Sequence, residues 1–116
     1  MKFKLILAMV QDSRTDDIID AARASGATGC TVVTNARGEG LNPPTTFLGL
    51  TLEGQRDIIL LLVEEHLSRS ILEAISEAGQ FEVEPGAGVA FQIDIEDAIG
   101  LRSQIQKIED EIEDEL

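Results

Sequence analysis

The order of apolar and polar residues repeats one unit twice: a short apolar run, a helix-spaced pattern and a glycine. Apolar runs of strand length occupy 3–10 and 57–63. After each run, small or apolar residues recur at the spacing expected for the inner face of a helix. These residues are Ile18, Ala21, Ala22 and Ser25 in the first repeat, and Leu67, Ile71, Ala74, Ile75 and Ala78 in the second. Gly26 and Gly79 are predicted to end the two helices.

Each repeat is followed by a further predicted strand. Residues 28–35 are rich in β-branched side chains, which favour strands, and 89–95 closes the second half of the chain. Ser13 or Thr15 is predicted to cap the first helix, because a hydroxyl oxygen can accept a bond from a free amide of the first turn. Two βαβ halves predict an α+β protein of the ferredoxin-like type, βαββαβ, over residues 1–100.

A long segment, residues 36–55, joins the two halves. It holds four glycines and the Pro43-Pro44 pair, so neither a helix nor a continuous central strand is predicted there. A long loop in a small domain is typically functional. Its apolar residues are predicted to anchor a partner protein, and residues 41–54 are then mobile until the partner binds and orders them. In the alternative, the apolar residues fold back onto the cleft of the subunit. These residues are Phe47, Leu48 and Leu50.

The C-terminal residues 101–116 are predicted to form an acidic amphipathic helix. Its apolar side chains fall at intervals of four, three and four, which places them on one stripe. Two arrangements are open: the helix lies against its own domain, or it forms a short coiled coil between subunits, where isoleucine at both core positions favours three strands. The residues of the stripe are Leu101, Ile105, Ile108 and Ile112.

The net charge argues against two classes of partner. The chain of 116 residues, one domain by its length, has a formal net charge of -13. Nucleic acids and anionic headgroups are bound through lysine and arginine, so neither nucleic acid nor a bare membrane is an expected partner. No apolar run approaches the ~20 residues of a transmembrane helix, so no direct membrane insertion is expected and the expected location is cytoplasmic.

Candidate catalytic and metal-binding residues are few. His66, the only histidine, lies with Ser68 where the second helix begins, so a capping or surface role is predicted. Cys30, the only cysteine, lies in a valine-rich strand and is predicted to be a buried structural thiol. Catalysis needs an acid, base or nucleophile held in a cleft. The sequence therefore predicts that the protein is not an enzyme, and no metal site is assigned.

Four segments of the chain resemble the PII signalling proteins and their PII-like relatives. Residues 26–32, GATGCTV, resemble the family's GITGMTV segment, and 37–40, RGEG, resemble its KGFG. Residues 86–88, GAG, resemble the second glycine pair of its phosphate loop, and 91–95, FQIDI, resemble FVFDV on the following strand. The resemblance covers about the first hundred residues in the right order, and the acidic tail lies outside it.

The resemblance implies a homotrimer that senses a small-molecule effector in clefts between subunits and controls a target, often a membrane transporter, through its long loop. A trimer also buries the sheet face that two helices leave uncovered. The residues implied for effector binding are Thr31, Arg37, Gly38, Gly40, Gly86, Ala87, Gly88, Val89 and Arg102. The residues implied for partner binding are Leu41, Asn42, Thr46, Phe47, Leu48 and Leu50.

The chain departs from the family at the bases that hold ATP or ADP. Val89 follows the second glycine, Leu41 replaces the base of the loop entrance, and one arginine, Arg102, follows the last strand. Glu82 and Glu84 stand where phosphate would approach, and carboxylates beside a polyanion oppose binding. ATP is therefore expected to bind poorly, and the expected effector is an adenine nucleotide with few phosphates or a different small anion. The chain has no tyrosine, which excludes the family's nucleotidylation.

Two other functions remain open. Divalent-cation tolerance proteins share this trimeric fold, although their softer metals prefer cysteine and histidine, which the chain holds once each. A regulatory module that does not form trimers, like the amino-acid-sensing domains of metabolic enzymes, has the same βαββαβ order. Such modules usually join these strands tightly, which the long segment 36–55 does not do.

Overall fold

The computed structural model describes residues 1–36, 45–47, 50–52 and 55–115, with the backbone alone for 45–47, 50–52, 103–104 and 111–115. The elements are β1 (Phe3–Gln11), α1 (Thr15–Ala24), β2 (Thr31–Ala36), β3 (Thr45–Phe47), β4 (Leu50–Leu52), β5 (Arg56–Glu64), α2 (Glu65–Gly79), β6 (Gly88–Asp94) and α3 (Arg102–Glu115). Asp12–Arg14 forms a turn of 3-10 helix between β1 and α1. Among the helices of the described residues, none has the length and apolar composition needed to cross a bilayer.

Four of the strands form one antiparallel sheet in the order β2-β5-β1-β6. β1 is central, and its Ile6 lies opposite Leu61 of β5 and Gln92 of β6. α1 and α2 pack against each other and cover one face of the sheet. This interleaving of two βαβ halves is the ferredoxin-like arrangement, so the predicted α+β fold is confirmed.

The core lies between the two helices and one face of the sheet, because side chains alternate between the two faces of a strand. Along β5, burial alternates residue by residue from Arg56 to Val63. The buried side chains of β1 and β5 meet those of α1 and α2 in an aliphatic cluster, as expected for a chain without Trp or Tyr. The largest of them are Ile6, Val10, Ile18, Ile59, Leu61, Val63, Ile71 and Ile75.

The opposite face of the sheet, here called the open face, is also apolar. The strand register aligns its side chains in three rows: Val33, Ile58, Met9 and Val89; Thr31, Leu60, Leu7 and Phe91; and Leu62, Leu5 and Ile93. On the edge strand β6, Val89, Phe91 and Ile93 are 50%, 39% and 47% exposed. A contiguous apolar surface of this kind is typical of an interface.

The start of α1 differs from the prediction. The N-cap residue is Arg14, whose side chain makes no capping bond, so the cap predicted for Ser13 or Thr15 is wrong. The hydroxyl of Thr15 instead donates to Asp57 Oδ2 over 2.7 Å, and both residues are buried. A buried carboxylate needs hydrogen-bond donors, and Thr15 supplies one although it lies 42 residues from Asp57 in the sequence. The hydroxyl that the local sequence predicted as a helix cap is thus used in a tertiary hydrogen bond instead.

The cap of α2 comes from Glu64. Its Oε2 accepts a bond from the backbone N–H of His66 over 2.8 Å, and its Oε1 lies 2.5 Å from Nδ1 of the same histidine. The carboxylate is buried and the imidazole is exposed. The hydrogen bond to Glu64, and then its negative charge, raise the pKa of His66 above its ordinary value. His66 therefore lies on the surface at the start of α2, as predicted, while Glu64 supplies the cap.

The two helices end in different ways. Gly26 follows α1 with a φ of 112°, as predicted for a glycine stop. At the end of α2 the left-handed residue is Gln80, with a φ of 55°, and Gly79 is the last residue of the helix. Gly79 is needed for close packing instead, because a Cβ there would lie 2.3 Å from the ring of Phe81.

Part of the segment 36–55 forms a hairpin where the sequence predicted a continuous loop. β3 and β4 pair antiparallel, with Thr46 opposite Thr51. Threonine, phenylalanine and leucine at these positions suit short strands, and the glycines and prolines lie outside them. Residues 37–44, 48–49 and 53–54 lie outside the described residues, so the mobility predicted for the loop stays a prediction.

Cys30 and α3 also bear on the sequence predictions. β2 begins at Thr31, so Cys30 precedes the strand, and it is partly buried against the core. The predicted position within a buried strand is therefore wrong, although the thiol does pack against the core. Ile108 of α3 is 1% exposed within the single subunit, which means that its own chain covers it. This burial favours the arrangement in which the helix lies against its own domain.

We expect Thr15→Val to lower the free energy of unfolding by about 1–3 kcal/mol, because the buried carboxylate of Asp57 loses this donor. Thr15→Ser keeps the hydroxyl and should cost less. Urea unfolding of the three proteins measures both differences. Equal losses for the two variants would show that the methyl group, and not the hydrogen bond, stabilises this position.

We expect His66→Gln to remove a pH-dependent part of the stability while keeping the backbone cap. Because the folded-state pKa of His66 is raised, its pair with Glu64 contributes fully below the unfolded pKa of ~6.5. The contribution is lost as the pH rises through the folded-state pKa. The difference in melting temperature between wild type and variant should therefore shrink as the pH rises from about 5 to about 9. A difference that stays constant over this range would contradict the role of the pair.

Candidate functional site

The glycine loop, residues 80–88, connects α2 to β6 and contains three residues that the sequence assigns to effector binding. Its backbone folds as successive turns: Phe81 N donates to a carbonyl in the last turn of α2, and Glu84 N donates to Gln80 O. Ala87 N donates to Glu84 O over 3.2 Å, and Ala87 is buried. Ala87 therefore contributes packing to the loop.

Two glycines of the loop have different roles. Gly88 has no room for a side chain, because a Cβ there would lie 2.6 Å from the Phe81 ring and 2.8 Å from the carbonyl oxygen of Met9. Gly86 has a φ of 75° and open space where a Cβ would be. Packing against β1 thus requires Gly88, whereas Gly86 leaves the backbone of the loop accessible.

An ion pair ties the glycine loop to the connection between β1 and α1. Arg14 Nη2 donates to Glu84 Oε2 over 2.7 Å. From the sequence, Glu84 was expected to face an incoming phosphate, but in the structure Arg14 compensates its charge. Within the described part of the chain, Arg14 is the cation that forms an ion pair with this loop.

The strand register gathers much of the predicted site at one end of the sheet. Gly88, at the start of β6, lies opposite Val10 near the end of β1. Arg56, at the start of β5, lies opposite Ala36 at the end of β2. The glycine loop and both ends of the segment 36–55 therefore emerge at the same end of the sheet.

The two halves of the predicted site lie on opposite edges of the sheet, and Thr31 is level with Phe91, three residues along β6 from Gly88. β2, which begins with Thr31, is one edge strand, and β6, which follows the glycine loop, is the other. Three strand spacings separate these edges, about 14 Å in total. One subunit therefore does not bring Thr31 and Gly88 together.

Arg102 lies at the other end of the sheet. β6 ends at Asp94, which forms an ion pair with Lys4 over 3.0 Å. Beyond this point, Arg102 borders a cleft of about 480 Å³ together with Lys2 and Phe3. The seven residues of β6 span about 23 Å. Within one subunit, Arg102 is therefore too far away to reach the glycine loop.

A groove of about 630 Å³ runs between α2 and β6 beside the glycine loop. Its charged lining residues are one arginine, Arg69, and three glutamates, Glu73, Glu77 and Glu82. Arg69 is already paired with Glu73 over 3.0 Å. The excess of carboxylates makes this groove an unfavourable place for a phosphate group.

The cap of α2 also brings three potential metal ligands together. One ligand atom from each of Glu64, Glu65 and His66 lies within 4.8 Å of the others. Both oxygens of Glu64 already contact His66, and a helix N-terminus favours anions over cations. Cys30, the other residue considered for a divalent cation, does not belong to this group. The geometry suits a helix cap better than a metal site.

Several predicted site residues are described in part or not at all. Thr46, Phe47 and Leu50 belong to the hairpin of β3 and β4, where the structure describes the backbone. The predicted residues outside the described part of the chain are Arg37, Gly38, Gly40, Leu41, Asn42 and Leu48. The roles assigned to all of them stay predictions.

Two cations at the glycine-loop end of the sheet were not assigned from the sequence. Arg14 follows β1, and Arg56 is the half-buried first residue of β5. The two arginines lie far apart along the chain, and only the pairing of β1 with β5 brings their strand ends together. The sequence signal was weak: Arg56 directly precedes the predicted strand 57–63, and Arg14 lies four residues after the predicted strand 3–10.

Comparisons with known proteins agree with this fold. The family model of the nitrogen regulatory protein P-II matches residues 3–105. No curated protein sequence gives a significant match. Among the similar solved structures is that of CPII, a nitrogen regulatory PII-like protein from Thiomonas intermedia K12, bound to ADP, AMP and bicarbonate. It has a TM-score of 0.67 and 22% identity, over 86% of this chain and 97% of that one.

A second CPII structure from the same organism, bound to ADP, AMP and acetate, has a TM-score of 0.62 and 24% identity, over 81% of this chain and 86% of that one. At these identities the solved structures show a shared fold. The family model, by contrast, matches most of the chain and confirms the resemblance seen in its four motifs. The chain belongs to the nitrogen regulatory protein P-II family.

Proposed function

We propose that this protein is a homotrimeric, cytoplasmic P-II-type regulator that senses an adenine nucleotide with few phosphates in clefts between its subunits. Its signal passes to a partner protein through the segment 36–55. Members of the P-II family are regulators and not enzymes, which agrees with the non-enzymatic function predicted from the sequence.

The observation that carries the proposal is the division of the site between the two edges of the sheet. Thr31 and the glycine loop lie on strands about 14 Å apart. A cleft that contains both forms when the β2 edge of one subunit lies beside the β6 edge of the next. The open face supports this assembly, because association removes exposed side chains such as Phe91 and Ile93 from water.

The contact between different edges also supports a closed ring. A β2 edge against a β6 edge is a head-to-tail contact, and such contacts give either rings or open filaments. A ring of three turns the open faces toward a common axis, where they cover one another. A single three-fold arrangement would therefore bring the two halves of the site together and also cover the apolar open face.

The charge of the site favours an effector with few phosphates. Arg14 is engaged by Glu84, and Val89 stands after the second glycine, where the family has a base. The CPII structures contain ADP and AMP together with acetate or bicarbonate. We propose the same class of ligand for this chain, a nucleotide of low charge with a small anion. ATP would add negative charge without a matching base.

The proposed partner is a membrane transporter that the segment 36–55 contacts. Three of the predicted contact residues, Thr46, Phe47 and Leu50, belong to the β3–β4 hairpin. The segment begins and ends at the end of the sheet where the glycine loop lies. An effector bound at this end is therefore placed to change the position of the residues from which the segment extends.

We expect light scattering at micromolar concentration to give about three times the chain mass of 12.6 kDa. Phe91→Asp puts a charge on the open face and should dissociate the assembly. Ile99→Asp is the matched control, because Ile99 is exposed but lies in the loop after β6, outside the open face. A monomeric wild type would overturn the trimer, and dissociation by Ile99→Asp would place the interface elsewhere.

We expect titration calorimetry to detect AMP, cyclic AMP or ADP but little binding of ATP. The chain lacks two or three of the charge-assisted contacts, each worth ~1.5–3 kcal/mol, and their loss weakens the binding of a triphosphate by about a hundredfold or more. Because Arg102 is too far from the glycine loop of its own subunit, the proposed site takes it from a neighbouring subunit. Arg102→Ala should therefore weaken binding of the nucleotide, whereas Arg23→Ala, the same change of charge on the exposed surface of α1, should not. Micromolar ATP binding that survives Arg102→Ala would show that the effector site is wrongly assigned.

A further inference from the structure

We propose that Arg14 is an anion-binding residue of the effector site, and that Glu84 occupies its guanidinium until a phosphate group of the ligand displaces the carboxylate. The inference rests on the proposed function, because it adds a residue to the same site and explains how that site discriminates between anions. The Glu84 carboxylate thus competes with the phosphate group of the effector for the guanidinium of Arg14.

The position of Arg14 places a cation where the glycine loop can use it. Arg14 ends the 3-10 turn after β1, at the same end of the sheet as Gly88. Its Nη2 atom lies 2.7 Å from Glu84 Oε2, so the guanidinium is within direct reach of the loop. Gly86, two residues beyond Glu84, has open space around its Cα. A ligand at the exposed backbone of Gly86 would therefore bind two residues along the loop from the carboxylate that Arg14 holds.

The pair is exposed enough for a ligand to reach it. The side chains of Arg14 and Glu84 are 24% and 47% exposed. Ion pairs in contact with solvent contribute little to stability, so breaking this one costs little. Displacing Glu84 also returns its carboxylate to water, where it is well solvated.

A phosphate group is the better partner for the arginine. It carries more negative charge than a carboxylate and presents several oxygens, and the planar guanidinium binds two of them at once. The loop keeps its shape during the exchange, because Glu84 holds it through the backbone, with its N–H on Gln80 O and its carbonyl accepting from Ala87. Only the Glu84 side chain has to move.

Three of the other described cations are less suited to this role. Arg69 is paired with Glu73 in the acidic groove, and Lys4 is paired with Asp94 at the other end of the sheet. Within its own subunit, Arg102 also lies at that other end, beside the cleft near Phe3. Arg14 is the cation that the fold attaches to the glycine loop itself.

The loop offers a matched control for the charge of Glu84. Glu82 lies two residues earlier, faces the groove beside α2, and forms no ion pair with the described residues. Glu82→Gln and Glu84→Gln each remove one negative charge from the same loop. Only Glu84→Gln also releases Arg14. The difference between the two variants therefore isolates the contribution of Arg14 from the general electrostatic field.

The test is titration calorimetry of wild type, Glu84→Gln, Glu82→Gln and the double variant Arg14→Gln/Glu84→Gln with AMP, ADP and inorganic phosphate. We expect Glu84→Gln to bind AMP about tenfold more tightly than wild type, which corresponds to one released charge-assisted contact. Glu82→Gln should raise the affinity for AMP by less than about threefold, because it changes only the general electrostatic field of the loop. The double variant should lose the gain of Glu84→Gln.

Each outcome decides between the two proposals. Equal gains for Glu84→Gln and Glu82→Gln, or a gain that persists in the double variant, would overturn the role of Arg14 even if wild type binds AMP. If wild type binds no nucleotide but Glu84→Gln binds inorganic phosphate, the Arg14 site stands and the nucleotide part of the proposed function fails. If no protein binds any of the three anions, both fail.

A second variant covers the case in which Arg14→Gln/Glu84→Gln does not fold, as judged by its melting curve. Arg14→Lys/Glu84→Gln keeps the positive charge but lacks the forked geometry that binds two phosphate oxygens. It should retain only part of the tenfold gain. Full retention would show that Arg14 acts through its charge alone and makes no direct contact with the phosphate, which would overturn its assignment as a binding residue.

Discussion

β1 and β5 carry apolar side chains on both faces, and two helices can cover only one of those faces. Ile6 and Leu61 point into the core, whereas their neighbours Leu7 and Leu60 point to the open face, because successive side chains of a strand alternate in direction. A strand that is apolar at every position suits a sheet buried on both sides. The central strands therefore require a second covering layer, and the proposed trimer would supply it.

The strands and helices were predictable because their signals are local. Short apolar runs located β1 and β5 to within about a residue, and helical spacing located the inner faces of α1 and α2. The errors occur where a distant residue competes for a group. Thr15 does not cap α1, because its hydroxyl bonds to Asp57 on another strand. Gly79 does not supply the left-handed turn, which falls on Gln80, and its missing side chain instead leaves room for the ring of Phe81.

The candidate site was predictable in its glycines and not in its geometry. Gly86 and Gly88 stand out in the sequence, and the structure gives each a distinct reason to be glycine. Nothing local indicates that Thr31 and Gly88 lie on opposite edges, because strand order depends on which strands pair across the whole domain. The same holds for Arg14 and Glu84, whose contact joins two connections on neighbouring strands.

The position of the two edge strands ties the proposed sensing to the amount of protein present. A ligand held between β2 of one subunit and β6 of the next binds only the associated form, so it stabilises association by mass action. The apparent affinity for the ligand then depends on the concentration of subunits. In a cell, a protein of this design would respond to effector only where its subunits are abundant enough to stay together. Its rate of synthesis would act as a second input beside the metabolite.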